Sequence, residues 1–185
     1  QQVWAAQDLE SFDAVVLAAS PWETARLVAD AQISAPDWLQ AAQALEHTAI
    51  ATVYAWNPAA PQSGHSLPAP LLALRNTAEY PAQFVFDRGQ LGGPAGLLAF
   101  VISTSVGSRA QIEQQVIAQA QAQLGLALQP LQTVVEKRAT FACTPGLARP
   151  GIQVAPALVA CGDYIDGPYP ATLEGAVRSG IAVAR

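Results

Sequence analysis

Methionine is absent from this sequence of 185 residues, histidine and cysteine occur only twice each, and charged residues make up just 12% of it. Each shortage excludes something. Cys143 and Cys161 form no CxxC and have no histidine beside them, which argues against a metal site and a disulfide framework. The expectation is two free, mostly buried thiols in an intracellular chain. Nine basic residues stand against fourteen acidic ones, for a net charge of −5 and a pI near 4.8. With no Lys/Arg cluster, a nucleic-acid partner is not expected. No apolar run reaches the ~20 residues of a membrane span, and the N-terminus lacks the features of a signal peptide. The localisation read from this is cytoplasmic. The missing methionine and the opening Gln-Gln-Val-Trp lead us to read the chain as a fragment of a longer protein.

What is abundant is apolar. Hydrophobic residues reach 51%, while the charged share is well below the ~25% of ordinary soluble domains. That balance implies extensive buried surface, or apolar surface normally covered by something else. A chain of this length can bury a real core as one domain, or as one domain plus part of another.

The fold class expected is α+β: a mixed, largely antiparallel sheet with helices, flanked by strand–helix pieces of an α/β layer. Residues 12–18 (Phe-Asp-Ala-Val-Val-Leu-Ala) read as a strand buried on both faces. Ser20-Pro-Trp-Glu23 reads as a capping box opening a helix to about Ala31, and Ser34-Ala-Pro-Asp37 opens another through Leu45. Residues 49–56 alternate with period two, as a strand does, and a proline-rich loop covers 57–70. Strands follow at 71–75, 83–88 and 97–104, the last two joined across Gly89-Gln-Leu-Gly-Gly-Pro94 as a hairpin. Ser108-Arg-Ala-Gln111 caps a helix with Ile112, Val116, Ala120 and Leu124 inward and Gly125 past its end. A strand at 132–141 closes this middle region.

The last stretch organises the chain. A short apolar run, 158–161, is followed at once by Gly162-Asp163, a loop rich in Gly, Pro and Tyr, and a helix. That helix carries apolar residues at Leu173, Ala176, Val177, Gly180, Ile181 and Ala184, one face of a 3.6-residue period. A strand ending in a carboxylate beside a helix N-terminus suits a phosphorylated or polyhydroxy ligand: the carboxylate accepts from hydroxyls, and the helix offers free amides and a positive dipole end. Two starts are open to the helix. Thr172 is an N-cap that satisfies it internally, or Pro170 is its first residue and leaves the first amides free; we favour the second. Gly175 and Gly180 each cost about 1 kcal/mol against alanine inside a helix, which implies the close approach of a neighbour.

Several of these pieces together resemble the C-terminal half of the flavin-dependent amine oxidase and phytoene desaturase superfamily. Residues 12–22 resemble its return strand into the FAD domain, and Gly162-Asp163, Pro170 and Glu174-Gly-Ala-Val-Arg-Ser-Gly180 its second FAD motif. Phe84-Val-Phe-Asp-Arg88, Glu136-Lys-Arg-Ala-Thr-Phe-Ala-Cys-Thr-Pro-Gly146 and residues 170–180 look most like its squalene-associated FAD-dependent desaturase group. The resemblance implies FAD as cofactor and an isoprenoid or triterpenoid substrate, with hydroxysqualene dehydroxylation or a related desaturation by hydride transfer. Peripheral membrane association of the full-length enzyme goes with such a substrate; the oligomeric state is open. The alternatives are a flavin amine oxidase, or a non-catalytic module that binds isoprenoids or a partner. The strand at 49–56 lacks the lysine that many amine oxidases carry there, which weakens the amine reading.

The resemblance divides the chain into residues 1–33 as part of the FAD domain, 34–150 as a substrate domain and 151–185 as the C-terminal FAD motif. It places Gly162, Asp163, Tyr169, Pro170, Ala171, Thr172 and Leu173 at the cofactor, with Asp163 bonding the ribityl chain or pyrophosphate region. Tyr164 and Tyr169 are candidates to line the flavin ring. Tyr54, Trp56, Phe84, Phe86 and Phe100 are candidates for an isoprenoid tunnel. Lys137 and Arg138, a basic pair on a substrate-domain strand, are the candidate catalytic residues. The superfamily's first dinucleotide motif, GxGxxG after a strand, is missing from this sequence. The chain alone is therefore expected to bind FAD weakly and to be inactive.

Overall fold

The structure is a computed structural model and describes residues 12–60 and 65–185. Residues 1–11 of the expected first segment, and 61–64 of the proline-rich loop, lie outside the described residues. The elements run β1 (Val15–Leu17), α1 (Pro21–Asp30), α2 (Pro36–Gln43), β2 (His47–Trp56), β3 (Leu71–Ala73), β4 (Phe84–Asp87), β5 (Leu97–Ser103), α3 (Arg109–Leu124), β6 (Gln129–Phe141), β7 (Gln153–Ala155), β8 (Leu158–Ala160) and α4 (Leu173–Val183). The α+β expectation holds, with sheets that are mostly antiparallel. Among the described residues, no helix is long and apolar enough to cross a membrane.

Two compact units form. One takes the chain up to Glu46 and from Phe141 onward; the other is His47–Thr140. These divisions fall at 46/47 and 140/141, where the sequence reading had 33/34 and 150/151. The reason is packing: α2 sends Trp38 and Ala42 into the same core as Ala25, Val28 and Phe141. The Trp38 indole N–H donates to the Gly151 carbonyl at 2.8 Å, and the Ala142 N–H to the Glu46 carbonyl at 2.8 Å.

In the first unit β1 pairs parallel with β8, and β8 pairs antiparallel with β7. The first and last strand–helix pieces thus share one layer, as expected. The expected burial of β1 on both faces does not hold. Among the described residues it is an edge strand paired with β8, and Val15 and Val16 are 45% and 47% exposed because the unit's core cluster does not reach them. Ser20 is the N-cap of α1, but its hydroxyl makes no cap bond, and Glu23 turns to Arg26 instead. The cap of α2 is Ala35, not Ser34. Both thiols are free, but Cys143 is exposed, because it lies in the loop beyond the end of β6. Cys161 is half-buried, and burial pushes its thiol up.

The second unit is a five-stranded sheet in the order β3-β4-β5-β2-β6, with α3 in the same unit. Period-two alternation divides its residues. Ala51, Val53, Val85, Leu98, Phe100 and Ile102 face a core shared with Ile112, Val116 and Ala120 of α3. The opposite face carries Tyr54 paired with Ala99, Ala99 with Phe86, and Phe86 with Leu71, while Phe84 pairs with Val101. Phe100 is therefore a core residue and leaves the tunnel set.

Helix α3 docks by hydrogen bonds that the apolar period did not reveal. Gln119 is fully buried; its side-chain oxygen accepts from the Ala82 N–H and its nitrogen donates to the Ala82 carbonyl, both at 2.9 Å. Gln123 pairs in the same way with Arg75, and Gln115 donates to the Ala78 carbonyl. Three glutamines spaced by four thus act as a ladder partner for backbone that has none. Gln119→Leu is expected to cost about 2–6 kcal/mol, since two buried backbone groups lose their partner at about 1–3 kcal/mol each. A denaturant midpoint unchanged from wild type would count against this.

Candidate functional site

The candidate site grows from the end of β8. Its last turn is stitched to α4 by Ser179, the one buried residue of that helix. The Gly162 N–H donates to the Ser179 hydroxyl oxygen at 2.9 Å, and that hydroxyl lies 3.0 Å from the Gly162 carbonyl and 2.8 Å from that of Ala176. A Cβ at position 162 would lie 2.5 Å from the Tyr164 ring, so glycine is required by space. The amide of Gly162 is thus already engaged and is not available to a ligand.

Asp163 follows, half-buried. Its carboxylate makes no hydrogen bond among the described residues, while its backbone carbonyl accepts from the Ala171 N–H at 3.2 Å. Tyr164 turns inward instead of lining a ligand cavity. It is 1% exposed, its hydroxyl meets Thr24 Oγ1 at 3.2 Å, and its ring sits edge-on to Trp38 at 6.5 Å. Burial pushes its phenol up.

The loop then runs through two strained residues. Tyr169 and Ala171 both adopt left-handed backbone, at φ 61° and 57°, on either side of Pro170. Non-glycine residues there cost on the order of 1–3 kcal/mol each, and such strain persists only where the surroundings impose it. Here the Thr172 hydroxyl donates to the Tyr169 carbonyl at 2.6 Å and accepts from the Gly175 N–H at 3.0 Å. Thr172 is therefore the N-cap, and the favoured start at Pro170 is wrong: left-handed Ala171 cannot belong to the helix. One amide is spent on the cap. Those of Leu173 and Glu174 have no acceptor among the described residues and remain as donors.

Position 175 does answer to a close approach, but the neighbour is the loop's own Tyr169 carbonyl. Position 180 has nothing within 4 Å. The apolar stripe of α4 is exposed, with Leu173 at 88%, Val177 at 57% and Ile181 at 51%. Arg178 pairs with Glu174 at 2.6 Å and stacks 4.9 Å above the half-exposed Tyr169 ring.

The fold thus brings Gly162, Asp163, Tyr169, Pro170, Ala171, Thr172 and Leu173 together in one unit. A carboxylate and two amides left without partners on one strand–loop–helix are groups that can bind a ligand with hydroxyl donors and acceptor oxygens. Lys137 and Arg138 belong to the other unit, exposed on β6. Among the described residues no group of His, Cys, Asp and Glu is arranged to hold a metal ion. Sequence reasoning missed Ser179 and Arg149. The Arg149 guanidinium donates to the carbonyls of Ile165 at 2.7 Å and Gly167 at 2.5 Å and reaches Asp166 Oδ1 at 3.3 Å. Neither spacing nor residue type marks them, since their partners are backbone groups of a loop.

The fold and parts of the sequence have counterparts among known proteins. The hydroxysqualene dehydroxylase of Rhodopseudomonas palustris is 50% identical over 56 residues, which is 29% of this chain and 13% of that protein. An oxidoreductase from Methanosarcina mazei shares the fold with a TM-score of 0.62 at 17% identity, over 95% of this chain and 43% of its own. A protein from Pyrococcus furiosus follows at 0.60 and 13% identity, over 90% and 38%. The chain thus spans less than half the length of each. The model of the flavin-containing amine oxidoreductases matches residues 2–185, and the chain belongs to that family.

Proposed function

We propose that this chain supplies the C-terminal FAD contact and the substrate sheet of an FAD-dependent oxidoreductase acting on a triterpenoid, with hydroxysqualene dehydroxylation as the reaction. The observation that carries the cofactor half is the unpartnered Asp163 carboxylate beside two free helix amides. Asp163 accepts from ribityl hydroxyls, while Leu173 and Glu174 donate to the oxygens of the cofactor. When bound in its reduced form, FAD would supply hydride to an allylic carbon and be oxidised, with the C–O bond breaking and the hydroxyl taking up a proton to leave as water.

The substrate half rests on the second face of the five-stranded sheet. Tyr54, Phe86, Phe84, Val101 and Leu71 line it across β2, β5, β4 and β3, and Phe84 and Leu71 remain 42% and 45% exposed. An aromatic and aliphatic wall of that kind orients an uncharged hydrocarbon and excludes water. The partial identity with a hydroxysqualene dehydroxylase supports the same substrate, and β2 offers no lysine for amine chemistry. In this reading Lys137 and Arg138 on β6 are the cations assigned to the departing hydroxyl. The unit at 47–140 takes the role of substrate portion and the flanking segments that of the FAD portion, and the whole enzyme meets its apolar substrate at a membrane surface in the cytoplasm.

The test uses the whole enzyme with reduced FAD. Hydroxysqualene is expected to yield squalene, and Asp163→Ala to weaken FAD binding roughly tenfold or more. Turnover of amines with none of hydroxysqualene would overturn the substrate assignment, and full FAD occupancy in Asp163→Ala would remove Asp163 from the site.

A further inference from the structure

We propose that Arg149 is a positioning residue: its guanidinium holds the 165–172 loop in the left-handed conformation that presents Asp163 and the α4 amides to the cofactor. The proposal rests on the flavin reading of that loop. Its basis is the contrast between a strained loop and the few groups that hold it.

Two bonds hold the loop's downstream end, from the Thr172 hydroxyl to the Tyr169 carbonyl and from the Ala171 N–H to the Asp163 carbonyl. At the upstream end the Ile165 N–H donates to the Gly162 carbonyl at 3.3 Å and its side chain is buried, and the other restraints come from one place. The Asp166 N–H donates to the Pro150 carbonyl at 2.8 Å, and the neighbouring Arg149 reaches three acceptors on Ile165, Asp166 and Gly167. The next residue, Gly151, is bonded through its carbonyl to the buried Trp38 indole, so the base of this clamp is fixed to the core.

The Arg149 side chain is only 10% exposed, and two of its three acceptors are carbonyls. Its pairing with Asp166 adds little, because that carboxylate is 71% exposed and solvent screens it. A planar fork of donors suits three acceptors spread along a loop; a lysine ammonium is a single point and reaches fewer of them. Tyr169 and Ala171 return to negative φ if the loop is let go. Because Ala171 is bonded to the Asp163 backbone, that relaxation separates the carboxylate from the helix amides.

Two measurements test this. In the 185-residue chain without flavin, Arg149→Ala is expected to speed hydrogen exchange at the Asp166 and Ala171 amides about tenfold, with the amide of the fully buried Val28 in α1 unchanged. In the whole protein, Arg149→Ala is expected to weaken FAD binding roughly tenfold or more. Arg149→Lys should recover part of that loss. Arg149→Ala with Ala171→Gly should recover most of it, since glycine accepts positive φ without strain, a rescue that a merely structural arginine does not produce. Unchanged exchange at Asp166 and Ala171 in Arg149→Ala overturns the clamp whatever the flavin result. If Arg149→Ala unfolds, the same reading is taken from Arg149→Lys with its core intact, and unaccelerated exchange there is equally fatal. Accelerated exchange in a protein that binds no FAD at all sinks the flavin reading and leaves the clamp standing.

Discussion

Gly175→Ala is expected to destabilise the protein by about 2 kcal/mol, although alanine is the better helix former. Helix propensity alone predicts a gain of up to about 1 kcal/mol. Against this stands a Cβ that would sit 2.3 Å from the Tyr169 carbonyl oxygen and 3.2 Å from its carbon, both backbone atoms. Tyr169 cannot retreat cheaply, because the Thr172 hydroxyl grips the same carbonyl. Overpacking costs about 1–3 kcal/mol, and rigid backbone puts this case at the upper end. The steric term wins. Gly180→Ala is the control: nothing lies within 4 Å of the added methyl, so the propensity gain appears undiluted. Thermal melts of the two variants in parallel decide the matter, and a Gly175→Ala protein at least as stable as wild type would refute the close approach.

Asp87→Ala is expected to cost about 3 kcal/mol or more and to remove an acid-sensitive part of the stability. Asp87 is fully buried, yet its carboxylate accepts from the N–H groups of Ser66, Leu67 and Gly89 and from the Gln90 side chain, at 2.7 to 3.1 Å. Truncation leaves these donors unsatisfied, at about 1–3 kcal/mol for each that stays dry. Burial by itself raises the carboxyl pKa; the hydrogen bonds from Gln90, Leu67 and Ser66 together outweigh it and hold the group below the usual carboxylate value of 3.8. A pKa lowered by folding means stabilisation that is fully present above the unfolded value and lost as pH falls through the folded one. Wild type should therefore lose stability steeply below about pH 4, and the Asp87→Ala protein less so over the same range. Parallel acid-unfolding slopes for the two proteins would show that Asp87 carries no such linkage.

How much of this was legible in the sequence depended on the kind of partner each residue found. The strands of the middle region were readable from their alternation, because the side facing α3 must be apolar wherever it is buried. Ser108 and Gly125 were readable as caps, since each acts on its own helix. The start of α4 was misread for a reason equally local: Thr172 competed with a proline for the first position, and the left-handed Ala171 that settles the matter follows no residue-type rule.

The sequence by itself determined the family, the α+β class and the place of the closing strand–loop–helix, because those follow from short-range periodicity and a local motif. Only the tertiary structure decided which of that motif's groups are free. Gly162 spends its amide on Ser179, Tyr164 is drawn into the core by Thr24 and Trp38, and Asp163 alone keeps an unpartnered carboxylate. The physical reason is that availability is set by what a group's neighbours in space already satisfy. Those neighbours come from residues as distant in the chain as Thr24, Trp38 and Arg149, whose partners no spacing in the sequence announces.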